Sequence, residues 1–234
     1  MRGCLFVLIF AALVVSIAAW FGAPVLASSV ISVGLQNAGF QAETLETAAT
    51  SDPPPKLLLG RADHVTIEAT GVSFRTFRAD RLALDFTDVD LLGRRAGWIS
   101  GTIDGAEVTS ADGVPTTADV RIEGPASGAA AVIVIDAATV ERVVRATFED
   151  RIGVDITRTE LVAPDTLRII SPGTTIEGRV IVDASGAIAL STRLGESRIL
   201  SLDPSFPLRL RAVRAAGGDL RVDATLDAEA LLGD

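Results

Sequence analysis

The chain reads as an α+β protein, a meandering antiparallel sheet with a helix packed on one face, behind an apolar N-terminal segment. Three observations lead there. Gly3 to Ala42 contains no Asp, Glu, Lys or Arg, and Leu5 to Phe21 is apolar throughout. From His64 onward, apolar and polar residues alternate with a period of two in segment after segment. One stretch, Asp136 to Arg151, instead carries the period and the end signals of an amphipathic helix.

The N-terminal segment is long enough to cross a bilayer at helical rise. Arg2 precedes it and favours an N-inside orientation, which places the rest of the chain outside the cytoplasm. Gly22, Ala23 and Pro24 are expected to break the helix, and Val25 and Ala27 offer small residues at cleavage spacing. Residues 1–27 are thus either a transmembrane signal anchor or a removable signal peptide, which would leave the protein tethered at the cell membrane or secreted. Residues 28–234 are expected to form a single domain.

Ser28 to Phe40 is a short helix candidate with Val30, Ile31, Gly34, Leu35 and Ala38 on one face. A polar stretch follows, ending in the stiff Ser51-Asp52-Pro53-Pro54-Pro55-Lys56. Val65, Ile67 and Ala69 then alternate with polar residues, as do Leu82, Leu84 and Phe86. At Thr87-Asp88 the alternation slips by one, which predicts a bulge or bend. Trp98 to Glu123 reads as shorter strands separated by Gly101, Gly105 and Asp112-Gly113. An apolar run, Gly128 to Ile135, leads into the helix. Asp136 is its cap, Ile135 and Val140 its staple, and Glu141 and Arg145 an i,i+4 pair. Val140, Val143, Val144, Phe148 and Ile152 form its apolar stripe. Valine is a mediocre helix former, so packing must supply much of the stability. Ile176, Val180 and Val182 turn at Ala184-Ser185-Gly186 into Ile188 and Leu190. Leu208 and Leu210 turn at Ala216-Gly217-Gly218-Asp219 into Leu220, Val222, Ala224 and Leu226. The total is roughly ten strands and two helices.

Composition excludes much chemistry. The 234 residues carry a net charge of −9, and aromatics make up 5%, the opposite of a nucleic-acid footprint. The one cysteine, Cys4, lies in the N-terminal segment, so the remainder has neither a disulfide framework nor a thiol nucleophile. His64 is the lone imidazole. Gly124-Pro125-Ala126-Ser127-Gly128 is not a nucleophile elbow. Asp85, Asp88 and Asp90 lack the order of a calcium loop and read as solvated carboxylates. No metal site, cofactor or catalytic residue is expected, and the protein is read as not an enzyme.

What remains is the apolar surface. Leu57, Leu58 and Leu59 stand beside a triple proline, where loops are ordinarily polar. They either fold beneath as core or project into something apolar. The strands beyond carry small and medium aliphatics with few aromatics, a lining suited to flexible chains. Each buried methylene is worth about 0.8 kcal/mol, so an acyl chain of about 16 carbons represents roughly 13 kcal/mol against water. Only an apolar groove of similar extent competes with a bilayer for it. The candidate lining is Val65, Ile67, Leu82, Leu84 and Phe86 on the first strands, Val144 and Phe148 on the helix, and Ile188 and Leu190 on a later strand.

The segments Leu57-Leu58-Leu59-Gly60-Arg61-Ala62-Asp63-His64-Val65-Thr66-Ile67-Glu68-Ala69 and Arg81-Leu82-Ala83-Leu84-Asp85-Phe86-Thr87-Asp88-Val89-Asp90-Leu91 resemble the LmeA-like family of bacterial phospholipid-binding cell-envelope proteins. The shared features are a leucine-rich loop, a Gly-Arg step, a strand, and a second strand ending in acidic-Val-acidic. The resemblance implies a tubular lipid-binding-like shape, a long curved sheet wrapped around a helix. It also implies non-enzymatic phospholipid binding at the outer face of the cytoplasmic membrane in support of envelope lipid or lipoglycan assembly. Arg61, at the Gly-Arg step, would then meet a phosphate; an ordinary surface arginine is the plainer alternative. Asp52-Pro53-Pro54-Pro55-Lys56 departs from the family's aromatic-containing entry. The alternative function is a structural envelope domain that binds another protein and carries no lipid.

Overall fold

The computed structural model describes residues 22–37, 39–74, 77–109, 114–152, 155–193, 195–201, 207–228 and 230. The expected N-terminal anchor, residues 1–21 of it, lies outside the described residues. Among the described residues, no helix is long and apolar enough to cross a membrane.

Among the described residues, thirteen strands form two antiparallel sheets. The larger has eight strands: β1 (Thr44–Thr50), β2 (Arg61–Phe74), β3 (Phe77–Asp90), β4 (Trp98–Thr109), β5 (Pro115–Pro125), β6 (Ala129–Ile135), β13 (Asp219–Leu226) and β12 (Leu208–Ala216), in that spatial order. The smaller has five: β11 (Gly195–Leu200), β10 (Ile188–Thr192), β9 (Thr174–Val182), β8 (Thr166–Ser171) and β7 (Arg158–Val162). The expected α+β class holds, but the one long sheet is two. The final strand β13 inserts between β12 and β6, with Val222 opposite Ile133 and Ala224 opposite Ala131. Its alternation marked a strand; its pairing partner 90 residues upstream left no local trace. The two sheets meet near Pro164, where the Ala215 amide of β12 donates to the Pro164 carbonyl at 2.7 Å.

Helix α1 spans 22–37 and differs from expectation in two ways. The expected break at Gly22, Ala23 and Pro24 is absent, since all three residues are helical. The buried side of α1 is Ala23 and Ala27, with Ile31 packed against the same core, while Val30 is 68% exposed. The Ser28, Ser29 and Ser32 hydroxyls bond to carbonyls one turn back, at 2.9, 2.9 and 3.1 Å, which satisfies them within an apolar helix.

The polar stretch after α1 is not an irregular break. Thr44–Thr50 adds β1 to the sheet edge opposite Thr70 to His64, and Pro54–Leu59 is a 3₁₀ turn. Threonine and alanine alternate there with little apolar contrast, so the strand period was faint.

The bend expected at Thr87-Asp88 is present. Asp88 has φ 54°, and the Gly97 amide is shared between the Thr87 and Asp88 carbonyls at 3.0 and 3.2 Å. Gly101 and Gly105, by contrast, do not divide β4. A Cβ on Gly101 would stand 2.1 Å from the Ala83 carbonyl oxygen, so this glycine permits close approach of β3. The register shift between Ile103 and Ala106 places a bulge around Gly105.

Helix α2 (Ala137–Ile152) follows its signals. Asp136 accepts the Thr139 amide at 2.6 Å, and Arg145 and Glu141 pair at 2.8 Å. Val140, Val143, Val144 and Phe148 are buried. The helix packs against β5 and β13 of one sheet and β7 and β11 of the other, so one continuous core runs through both sheets.

The β9–β10 turn is fastened by Asp183, whose carboxylate accepts the Ser185 hydroxyl and the Ser185 and Ala187 amides. The Ser185 hydroxyl, then the Ala187 amide, hold its pKa down at about 2. A depressed folded-state pKa means the charged form stabilises the fold. The contribution is complete above about pH 4, the unfolded value, and is lost as pH falls towards 2. Urea unfolding across this window should show Asp183→Asn flattening the acid limb, with little change in slope above pH 5.

Candidate lipid-binding surface

The inner face of the eight-stranded sheet is assembled by register. Ala49, Val65, Phe86 and Ile99 form one row across β1 to β4. Thr47, Ile67, Leu84 and Gly101 form the next, and Leu45, Ala69, Leu82 and Ile103 a third, which continues through Val120, Ile133 and Val222. Strands are about 4.8 Å apart, so these rows give a laterally continuous aliphatic surface.

Two helices flank its middle. α1 is held to β1 by Ser32 Oγ and Thr47 Oγ1 at 2.8 Å and by Thr47 Oγ1 donating to the Ser28 carbonyl at 3.0 Å. α2 lies over β5 and β13. Between them Ile67, Leu84, Ile103, Val120 and Ile133 are only partly buried.

The candidate residues separate into three groups. Val65, Ile67, Leu82, Leu84 and Phe86 come together on this inner face, where Val65, Leu82 and Phe86 are buried and Ile67 and Leu84 only partly so. Val144 and Phe148 of α2, and Ile188 and Leu190 of β10, are sealed in the core, Val144 and Leu190 with no exposed surface. The space beside Ile188, between α2 and the two sheets, is about 20 Å³ and lined by aliphatic residues and Thr116. That is room for about one water, not an acyl chain.

The three leucines divide as well. Leu57 is buried as core, while Leu58 and Leu59 are exposed. Gly60 ends the 3₁₀ turn with φ 74°, a left-handed conformation that favours glycine. Arg61 is exposed at the start of β2, opposite Asp90.

The polar candidates have structural duties. Asp63 accepts the Asp52 amide at 2.6 Å, and that bond is the largest cause of a carboxyl held below its usual range. His64 lies 3.9 Å from Asp85, both side chains largely exposed. Asp90 accepts the Leu92 and Gly93 amides at 3.1 and 2.9 Å.

Sequence reasoning missed Ile103, Val120 and Ile133, whose alternation is interrupted by bulges and glycines, and Leu92, which has no apolar pattern around it. It also missed the outward side of α1, where Val25, Leu26, Val30 and Val33 are exposed. No curated protein and no solved structure matches the chain. A family model described as LmeA-like phospholipid-binding does match, over residues 18–225, nearly all of both sheets and both helices. The chain therefore belongs to the LmeA-like phospholipid-binding family.

Proposed function

We propose that this protein binds phospholipid, without catalysing a reaction on it, along the inner face of its eight-stranded sheet. The acyl chains lie against Ile67, Leu84 and Ile103 between α1 and α2. The partly buried aliphatic rows support this reading: they are the continuous apolar surface left incompletely covered by the chain's own helices. The domain works at the outer face of the cytoplasmic membrane, where it supports assembly of envelope lipid or lipoglycan.

The N-terminal segment acts as a retained anchor in this reading. α1 is continuous through Ala27, and Ala23 and Ala27 are buried in the core, so cleavage after Ala27 would remove part of the fold. The intact mass of the protein from membranes of the producing bacterium should include residues 1–27. A mature N-terminus at Ser28 would overturn the anchor.

The lipid reading is tested by organic extraction of the purified full chain and mass spectrometry of the extract. Phospholipid should be recovered in stoichiometric proportion to protein after detergent is exchanged. Extracts containing only trace lipid would favour the structural, protein-binding alternative.

A further inference from the structure

We infer that the end of the eight-stranded sheet bearing Leu58, Leu59 and Leu92 is a docking tip that inserts into the lipid bilayer surface. This rests on the membrane placement proposed above and goes further, because it says which end of the molecule meets the membrane and through which side chains.

The leucines are 54, 71 and 79% exposed. They are contiguous: a Cβ on Gly60 would fall 2.5 Å from Leu92 Cγ, so the Leu92 side chain lies directly on the residue after Leu59. Trp98, 44% exposed, opens β4 at the same end, and indole rings favour the membrane interface.

The leucines are held outward by the backbone beneath them. Leu57 is buried under the turn. The Leu91 amide donates to the Gly60 carbonyl at 2.7 Å, and Asp90 and Asp63 fasten the two loops through backbone amides. The apolar side chains thus project from a braced platform.

The course of the chain identifies the occupant. The chain reverses between α1 and β1, where the Phe40 amide donates to the Leu35 carbonyl and Gln41 pairs with Ser73 at the far end of β2, and Ser28 and Ser32 of α1 lie against Thr47 of β1. From Ser32 back to Gly22 is about 15 Å at helical rise, whereas from Thr47 forward to Thr50 is about 10 Å. The Gly22 end of the described helix therefore reaches the level of the leucine tip. Residues 3–21, which precede Gly22 in the chain, carry no charged side chain, and Val25 and Leu26 close after it are exposed. An apolar segment and an apolar tip at one end of the molecule call for the same lipid surface.

Charge agrees with this orientation. At the tip Lys56, Arg61, Arg94 and Arg95 balance Asp52, Asp63, Asp88 and Asp90, in a chain of net charge −9. An acidic protein approaches an anionic bilayer most readily by its neutral end. The opposite end has a polar groove lined by Arg78, Asp80 and Glu107.

The test uses the full chain with Cys4→Ser and a single cysteine, Leu59→Cys or Leu92→Cys at the tip or Arg78→Cys at the opposite end. Each is labelled with an environment-sensitive fluorophore and reconstituted in vesicles of phosphatidylglycerol and phosphatidylethanolamine in equal parts. Nitroxide-labelled lipid should quench the tip probes several-fold more than the probe at 78. Adding Leu58→Asp should weaken quenching at 92, by about tenfold in the tip's partition into lipid. Equal quenching at 59, 92 and 78 overturns the inference. Lipid extracted from the same purified proteins before reconstitution keeps the two readings apart. Bound phospholipid with an unquenched tip defeats only the docking, while a quenched tip with no bound phospholipid leaves docking standing and defeats the cargo.

Discussion

Replacing Leu84 and Ile103 together by aspartate should strip the purified protein of phospholipid. The two side chains stand on neighbouring strands of the inner face, Leu84 opposite Ile67 and Ile103 opposite Leu82, and both are partly exposed. Each apolar side chain in contact with acyl chain is worth about 1.5–3 kcal/mol, so each loss costs about tenfold to a hundredfold in affinity. A carboxylate adds the penalty of facing hydrocarbon. Because neither position is sealed in the core, the sheet should survive, which circular dichroism would check. Phospholipid retained at the wild-type ratio by a folded double variant would remove the cargo from this face.

Leu190→Ala should behave in the opposite way. Leu190 has no exposed surface and packs against Gly178, where a Cβ would stand 2.7 Å from Leu190 Cδ1. Truncating a leucine so enclosed costs about 2–5 kcal/mol, depending on how far the neighbours collapse. Denaturant unfolding should show that loss, while phospholipid bound per folded molecule stays unchanged. If Leu190→Ala instead released lipid at nearly unchanged stability, the interior between α2 and the smaller sheet would be the binding site, and the present assignment would be wrong.

These variants separate residues that are equivalent in sequence. Leu84 and Leu190 are both apolar members of alternating strands. Their difference arises from what covers them. Leu190 lies in the five-stranded sheet, packed against Gly178 of β9 within the core, and Leu84 lies on the large sheet between two helices. A period of two reports that one side of a strand is apolar, but not whether protein or lipid completes it.

The leucine loop makes the same point. Three successive leucines carry one chemical signal, yet the 3₁₀ turn sends Leu57 under the sheet and leaves Leu58 and Leu59 in the open. Leu92, from a separate turn, completes the cluster through a contact over Gly60 that no local pattern foretells.

Local interactions along the chain were sufficient to determine the start and pairings of α2, the β9–β10 and β12–β13 hairpins and the bend at Asp88. In each, capping groups, turn residues or periodicity act within a few positions of one another. The division into two sheets, the insertion of β13 beside β6, the helical course through Gly22 to Pro24 and the separation of open from sealed apolar surface were decided by tertiary structure. These depend on which distant strands exchange hydrogen bonds and on what volume the helices fill, and neither is encoded within any one segment.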